Sequence, residues 1–383
     1  MPDSIPPTVS PDGDSIIIDM IRRFSQERLA PLAAEREKTR RIEPEVIAEL
    51  GELGVFGATT PAQWDGSEID PVTYALLLEE IAAGDGSVST MVSVHNSPTA
   101  IIFNNYGTDA QKDRWLRKLA TGEHVGSFGL TEPQAGSDAS ALKTRAVKKG
   151  DKYIVNGAKQ FISNATHPGS IVFFAVTDPS AGKKGLSAFV IDKRNTPGFS
   201  IARVEEKLGQ KASDTCALSF EDVEVPEDQR IGAEGEGYKI ALSTLESGRI
   251  GIAAQSIGMA RAALEYAIGY ARERKAFGGS IIDFQAVGFR LAEAKTRLEA
   301  ARQLTLYAAR LKAEGRPSLE AACMAKLFAS EAAEAICTAS IQTLGGYGFL
   351  ADYPVERIYR DVRVCQIYEG TSDVQKLILQ RML

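Results

Sequence analysis

The residue types that most often bind metals or form disulfides are sparse in this sequence. The four cysteines lie far apart, without CxxC spacing: Cys216, Cys323, Cys337 and Cys365. The three histidines lack a histidine or cysteine partner at ligand spacing: His95, His124 and His167. Structural zinc sites and disulfide frameworks both depend on such spacings. The sequence therefore predicts neither a metal site nor a disulfide framework, and it favours a reducing compartment.

Glycine-rich segments could also carry chemistry, because glycine lets the backbone approach a phosphate closely. A Rossmann dinucleotide site needs GxGxxG between a strand and a helix, and no such pattern occurs at a strand-to-helix step. Gly345, Gly346 and Gly348 follow an apparently helical run, and alone they indicate only a helix end and a turn. Any nucleotide cofactor is therefore expected to bind without a Rossmann fold.

Length, charge and hydropathy limit the classes of protein that fit. A chain of 383 residues is expected to form two or three domains with a sizeable core. Apolar residues make up 44% and charged residues 25%, as in globular proteins. The net charge is -6 without a basic stripe, so no nucleic-acid partner is expected. The N-terminus resembles no leader peptide and the longest apolar run, 171–176, is too short to span a bilayer, so we expect a cytoplasmic protein.

The pattern of apolar residues predicts an α+β protein with three domains. Residues 1–125 show helical spacing broken by turn signals such as Pro61 and Gly84-Asp85-Gly86, which indicates an N-terminal helical domain. Residues 126–235 are expected to form a small β-barrel or sandwich. Its predicted strands are β-branched and aromatic runs between turn residues: 153–156, 171–177, 186–191, 199–204 and 215–220.

Residues 236–383 are predicted to form a C-terminal helical bundle. The clearest periodicity lies in 283–312, where apolar positions alternate spacings of three and four. This seam contains Phe284, Val287, Leu291, Ala294, Leu298 and Ala301. A helix with such a seam needs neighbours, and 250–272 and 319–344 are also helical in pattern. We therefore expect a four-helix bundle.

Three longer segments have sequences that are specific enough to compare with those of a known family. They are FGLTEPQAGSD at 128–138, GAKQFISNA at 157–165 and CQIYEGTSDVQ at 365–375. Shorter collinear motifs accompany them: EKLGQKASDT at 206–215, GRIGIAAQ at 248–255, ERKAFG at 273–278, QTLGGYG at 342–348 and YPVERIYRD at 353–361. Together they resemble the acyl-CoA dehydrogenase family from about residue 15 to the C-terminus, most of all its short-chain and short branched-chain members.

The resemblance implies that the chain binds FAD and oxidises an acyl-CoA thioester at its α,β-bond to the trans-2-enoyl-CoA. Thr131 matches the hydroxyl near flavin N1 and Ser163 the one near N5, where donors meet the charge that hydride transfer leaves. The other implied contacts in this region are Phe128, Leu130, Gly136, Ser137, Phe161 and Ile162, with Ser137 also touching CoA. Read without the family, these segments are simply turns capped by short polar residues.

Glu369 matches the family's catalytic base, which removes the α-proton while hydride leaves the β-carbon for flavin N5. A carboxylate is a weak base in water, with a pKa of about 4.3, but a dry pocket raises that value. Some family members carry the base at the position of Gly248, which has no carboxyl group here. The implied substrate-side residues are Arg249, Tyr368 and Gly370. Without the family, Glu369 is only a polar residue in a turn before a last helix.

The resemblance also implies that the adenine and pyrophosphate end of FAD is held across a subunit interface of a homotetramer. The matching residues are Arg274, Phe277, Gln285, Gln342, Gly345, Gly346, Thr371 and Asp373. Arginine offers pyrophosphate a fixed charged fork, although a helix arginine is more often simply solvated. The seam in 283–312 fits either a bundle core or a subunit interface.

Two departures from the family and several alternatives remain. Phe161 stands where tryptophan is common, and Gln134 replaces a usual glycine, which should affect turn geometry more than chemistry.

Electron-transferring flavoprotein is the implied acceptor, and residues 86–99 are expected to line the acyl pocket. An acyl-CoA oxidase is one alternative, although oxidases of this type usually carry a further C-terminal domain and this sequence stops at Leu383. A catalytically silent binding homologue is the other.

Overall fold

The computed structural model describes residues 13–383, and side chains from residue 16 onward. The N-terminal region is helical, as predicted. Its helices are α1 Gly13–Phe24, α2 Ala33–Thr39, α3 Pro44–Glu52, α4 Pro71–Gly84, α5 Gly86–Val94, α6 Ile101–Tyr106, α7 Asp109–Gln111 and α8 Arg117–Ala120. The predicted break at 84–86 is confirmed, because Asp85 ends α4 and its carboxylate accepts the Ser87 and Val88 N–H groups that open α5.

The middle region forms a mainly antiparallel sheet. Its strands are β1 Ser127–Gly129, β2 Arg145–Lys149, β3 Lys152–Ser163, β4 Ser170–Val176, β5 Leu186–Asp192, β6 Phe199–Val204, β7 Thr215–Pro226 and β8 Arg230–Ile231. The order is β6-β7-β3-β2-β4-β5-β8, with β1 parallel to β4. The five predicted strands are confirmed. The sequence prediction missed β1, β2 and β8, which are either very short or, in β2, bury only Ala146.

Three long helices dominate the C-terminal region. The elements are α9 Gly237–Glu273, the hairpin strands β9 Lys275–Ala276 and β10 Gly279–Ser280, α10 Gln285–Ala313, α11 Leu319–Leu344, α12 Pro354–Val362 and α13 Ser372–Gln380. Helix α9 packs against α10 and α11, and α4 from the N-terminal region packs on α9 and α10 as the fourth member of the group. The seam of α10 faces this core through buried Leu291, Ala294 and Ala301. No helix within 13–383 is long and apolar enough to cross a membrane.

Candidate active site

Glu369 lies in a tight turn between the 3-10 turn Arg363–Gln366 and helix α13. Its backbone is left-handed, with φ at 54°, and Gly370 follows with φ at 87°. A left-handed conformation costs a residue with a Cβ about 1 kcal/mol, so tertiary contacts must hold it. Thr371 then caps α13 by accepting a hydrogen bond from the Val374 N–H at 3.2 Å. Glu369 is therefore both a turn residue and a side chain aimed by that turn.

The Glu369 carboxylate lies against helix α9. Its Oε2 is buried and has no hydrogen-bond partner among the described residues. A Cβ on Gly248 would lie 2.5 Å from that oxygen, so the missing side chain at residue 248 leaves the space that the carboxylate occupies. Burial raises the pKa of Glu369 to about 7, against the opposing charges of Arg249 and Lys326. A group with this pKa can accept a proton at neutral pH.

The neighbouring substrate-side candidates are arranged around the same turn. Arg249 follows Gly248 on α9, is 5% exposed, and its Nε has no partner in the described structure. The Tyr368 hydroxyl donates to Gln255 Oε1 at 2.8 Å, and Gln255 Nε2 donates to Thr90 Oγ1 at 2.6 Å. Since Thr90 lies on α5, this chain of hydrogen bonds connects the turn to the segment 86–99, which was predicted to line the acyl pocket.

The loop that carries Thr131 is held by a buried ion pair. Lys159 Nζ lies 2.7 Å from Glu132 Oε1 and donates to the Leu130 carbonyl at 3.2 Å, while the two side chains are 0% and 2% exposed. Glu132 also accepts from the Lys143 and Thr144 N–H groups at 2.6 and 3.1 Å. The Thr131 carbonyl accepts from the Gln160 N–H at 2.9 Å. These bonds place the 131 loop beside β3.

Ser163 ends strand β3, opposite Thr215 of β7. A bulge between Lys159 and Ile162 turns the Phe161 ring outward, where it is 63% exposed with φ at 61°. Ile162 faces the opposite way into the sheet core and is 2% exposed, so its side chain is not available to a ligand. The bulge therefore presents Phe161 and Ser163 at the sheet surface.

The remaining candidates of this region differ in exposure. Phe128 is half-buried and packs edge-on against Phe174, and Leu130 is buried. Gly136 and Ser137 lie in an exposed loop, with open space where a Gly136 side chain would be. The amide of Gln134 donates to Glu132 Oε2 at 2.7 Å. This departure from the family pattern therefore adds a bond to the carboxylate that holds the Thr131 loop.

A second group of candidates meets at the far ends of the C-terminal helices. Arg274, Gly345 and Gly346 line one surface pocket of about 420 Å³, together with Tyr270 and Tyr347. The Arg274 guanidinium lies 5.6 Å from the centre of the Tyr347 ring. The other predicted members are exposed: Phe277 at 97% in the β9–β10 hairpin, Gln285 at the start of α10, and Gln342 in the last turn of α11. Asp373 is exposed in the first turn of α13.

Sequence reasoning missed several residues that hold the site. Glu132 and Lys159 lie inside the motifs at 128–138 and 157–165, yet only the fold shows that they pair. Lys326 and Gln375, both 0% exposed, donate to the backbone of the Glu369 turn. The only sequence signal for Lys326 was a lysine within an otherwise apolar stretch of α11. Within the described chain no cluster of histidine, cysteine and carboxylate side chains could hold a metal ion.

Comparison with known proteins assigns most of the chain to one family. The models of the acyl-CoA dehydrogenase N-terminal, middle and C-terminal domains match residues 12–123, 127–223 and 235–383. The short-chain specific acyl-CoA dehydrogenase of Clostridium acetobutylicum is 43% identical over 364 residues, covering 95% of this chain and 96% of that protein. The mitochondrial short/branched chain specific acyl-CoA dehydrogenase of Rattus norvegicus is 44% identical, covering 95% and 84%.

Solved structures agree with this assignment. Butyryl-CoA dehydrogenase from Megasphaera elsdenii superimposes with a TM-score of 0.94 at 40% identity, covering 98% of both chains. A chain from structural work on the electron transferring flavoprotein of Acidaminococcus fermentans, which concerns flavin-based electron bifurcation, superimposes with a TM-score of 0.96 at 44% identity, covering 99% of both.

Proposed function

The chain belongs to the acyl-CoA dehydrogenase family, and on this premise we propose that it oxidises a short or short branched acyl-CoA to the trans-2-enoyl-CoA with Glu369 as base. The observation that carries the assignment of the base is the Glu369 carboxylate: its Oε2 is buried and has no partner among the described residues, and its pKa is raised to about 7. The family is FAD-dependent, and relatives with short-chain or short branched-chain specificity support the proposed length of the acyl group.

The side chains of the site fit FAD. Ser163 is half-buried at the end of β3, Thr131 is half-buried in the loop beside β3, and the exposed Phe161 offers a flat apolar cover. At the other end, Arg274 and the open backbone at Gly345 and Gly346 suit a pyrophosphate. FAD, when bound, supplies the hydride acceptor. We assign the remaining contacts as the family pattern implies: Phe128, Leu130, Gly136, Ser137, Phe277, Gln285, Gln342, Thr371 and Asp373. Ile162 can contribute only its backbone, because its side chain lies in the sheet core.

Glu369 takes the α-proton in this proposal. The proton transfer needs a carboxylate that is poorly solvated and still able to ionise near neutral pH. The buried position beside Gly248 supports the first condition, and the charges of Arg249 and Lys326 favour the second. We assign to the Glu369 N–H the stabilisation of charge on the thioester carbonyl, which is the role that the family pattern implies and that backbone donors have in oxyanion sites. We assign Arg249, Tyr368 and Gly370 to the substrate side of the turn, as the family pattern implies.

The proposed partners follow from the same family. We propose electron-transferring flavoprotein as acceptor and a cytoplasmic homotetramer as the working form. Aromatic side chains on the C-terminal region support an interface, because Phe277, Phe289 and Phe328 are 97%, 66% and 40% exposed. Sedimentation of the holoenzyme at the mass of four chains tests the tetramer, and a monomer contradicts it.

Anaerobic mixing with saturated acyl-CoAs of graded length and branching tests the reaction. We expect the visible absorbance of the bound flavin to bleach fastest with a short or short branched chain. No bleaching with any thioester, despite bound FAD, overturns the proposed function. Reoxidation of the reduced protein by electron-transferring flavoprotein, but only slowly by O2, distinguishes a dehydrogenase from an oxidase.

The rate of flavin reduction is expected to depend on pH through Glu369. Because burial raises the pKa of Glu369 to about 7, the base is mostly protonated below that pH and ionised above it. The value of kcat/KM should therefore increase as pH rises through about 7. The charged groups that face the carboxylate are Arg249 from α9 and Lys326 from α11, and both favour ionisation. A rate that is flat between pH 6 and 8, as stopped-flow measurements would show, contradicts this role.

Adding one methyl group at Gly248 should displace the base. The new Cβ would lie 2.5 Å from Glu369 Oε2, so the carboxylate must move away from its present position. We expect Gly248→Ala to lower the rate of flavin reduction by about tenfold or more while FAD content stays unchanged. Gly269→Ala on the same helix is the matched control, because nothing lies within 4 Å of its added Cβ. Equal rates for the two variants contradict the placement of the carboxylate.

A further inference from the structure

The turn that aims Glu369 is held from its buried side by two side chains. Lys326 Nζ donates to the Gly370 carbonyl at 2.7 Å. Gln375 Nε2 donates to the same carbonyl at 2.9 Å and to the Glu369 carbonyl at 3.2 Å. Lys326 comes from α11 and Gln375 from α13, and both are fully buried. The two consecutive left-handed residues, Glu369 and Gly370, are therefore fixed by donors from separate helices.

Lys326 is an unusual residue for this place. A lysine is almost never fully buried unless it is paired, and Lys326 has no carboxylate within salt-bridge distance among the residues that the structure describes. Burial lowers the pKa of Lys326 to about 8, against the opposing effects of Cys365 and Glu369. The ammonium group of Lys326 donates to the carbonyl of Gly370, the residue after the proposed base. Among carboxylates, Glu369 is the one whose charge raises the pKa of Lys326 most.

We propose that Lys326 is the positioning residue of the base: through the Gly370 carbonyl it fixes the turn, and with its charge it favours the ionised carboxylate of Glu369. This inference rests on the proposed function of Glu369. Gln375 contributes to the geometry without contributing charge. The two effects are therefore separable by substitution, because loss of Lys326 removes both and loss of Gln375 removes only the geometry.

Other charged and titratable groups surround Lys326 and Glu369, and they come from each element that packs against the two residues. Arg249 and Glu246 lie on α9, Cys323 and Glu331 on α11, and Cys365 precedes the turn. Arg249 is a second positive charge near Glu369, so removal of Lys326 weakens the support for the carboxylate without abolishing it. A partial shift of the pH profile is therefore expected.

Stopped-flow reduction of the holoenzyme as a function of pH tests this role. With Lys326→Met we expect the rate to fall by about ten- to a hundredfold and the midpoint of its increase with pH to move upward by about one unit. Gln375→Leu should lower the rate with an unshifted midpoint. Lys149→Met, at an exposed lysine on β2, is the matched control and should behave as wild type.

A measurement that needs no turnover tests the effect of the Lys326 charge on the ionisation of Glu369 separately from the rate of the reaction. Infrared titration of each variant, minus the same variant with Glu369→Gln, reports ionisation of the Glu369 carboxylate directly. We expect a higher pKa with Lys326→Met and an unchanged one with Lys149→Met. Lys326→Gln, which keeps a donor but no charge, replaces the methionine variant if that protein does not fold, and the same upward shift is expected.

The outcomes distinguish this proposal from the proposed function. If wild-type flavin is not reduced by any acyl-CoA, the function of Glu369 as base fails. If the wild type is reduced and Lys326→Met or Lys326→Gln keeps the wild-type midpoint in both measurements, Lys326 is only part of the packing between α11 and α13, and the positioning role is overturned.

Discussion

Replacing Glu369 by glutamine should lower the rate of flavin reduction by about 10³-fold or more, while FAD and acyl-CoA still bind. The amide has nearly the shape of the carboxylate but cannot accept the α-proton, so the loss falls on the chemical step. The measurement is single-turnover bleaching of the flavin under anaerobic conditions, with ligand affinity determined separately by equilibrium titration.

The matched control is Glu52→Gln, at an exposed glutamate on α3 far along the chain from the turn. It should reduce flavin at the wild-type rate. Wild-type reduction by Glu369→Gln itself would instead assign the proton transfer to another group. A loss of bound FAD in that variant would show that the glutamine disturbs the fold of the turn, and the test would then use Glu369→Asp, which keeps the charge but shortens the reach.

The substitution Glu369→Gln, which lowers the rate, should increase the stability of the fold at high pH. The pKa of Glu369 is about 7 in the folded protein, against an ordinary value of 4.5 for a solvated glutamate. The folded state therefore holds this proton more tightly, so the contribution of Glu369 to stability is fully present below pH 4.5 and is lost as pH rises through about 7. Glu369→Gln should be as stable as wild type at pH 4 and more stable at pH 8, as the urea midpoints of the holoenzymes would show.

Replacing Lys159 by methionine should cause the largest loss of stability among the substitutions considered. The change leaves the Glu132 carboxylate, whose side chain is 2% exposed, without its cation. Removal of one partner from a buried pair costs about 3–5 kcal/mol because the remaining charge is uncompensated. Burial favours the neutral acid of Glu132, but Lys159 and two backbone N–H groups outweigh it and keep the pKa below its usual range. Without Lys159 this balance is lost.

The loss should extend to FAD, because Glu132 holds the loop that carries Thr131. We expect a lower urea midpoint and a lower FAD content for Lys159→Met. Lys118→Met is the matched control, since Lys118 pairs with Glu123 at 3.0 Å on the surface, where a pair contributes about 0–1 kcal/mol. If both variants unfold at the same urea concentration, the buried pair does not stabilise the loop. Glu132→Gln together with Lys159→Met should recover part of the stability, because the buried charge is gone.

Local sequence patterns predicted much of the fold. Alternating and three-four spacings predicted the five main strands and the long helices, since burial along one element follows its own repeat. The predicted segments at 153–156, 215–220 and 250–272 were shorter than the observed β3, β7 and α9. The segment predicted at 319–344 coincides with α11, and the segment at 283–312 differs from α10 by two residues at its start and by one at its end. The strand β2 was missed because its sequence, RAVKK, buries one residue and carries three charges.

Motifs also identified the candidate residues, but not how they are supported. The resemblance of 365–375 to the family singled out Glu369, and the absence of a side chain at Gly248 was visible in the sequence. That Gly248 faces the Glu369 carboxylate depends on how α9 passes the turn before α13. The sequence likewise gave no reason to relate Lys326 to Gly370, 44 positions away, or Lys159 to Glu132, 27 positions away.

The sequence by itself thus determined the family, most of the secondary structure and the identity of the proposed base. Only the tertiary structure decided the ionisation of that base and the residues that aim it. The physical reason is that a pKa depends on burial and on charges that meet from separate elements, here α9, α11 and the Glu369 turn. Such contacts depend on how the helices cross one another, and the local pattern of apolar residues along the chain does not predict them.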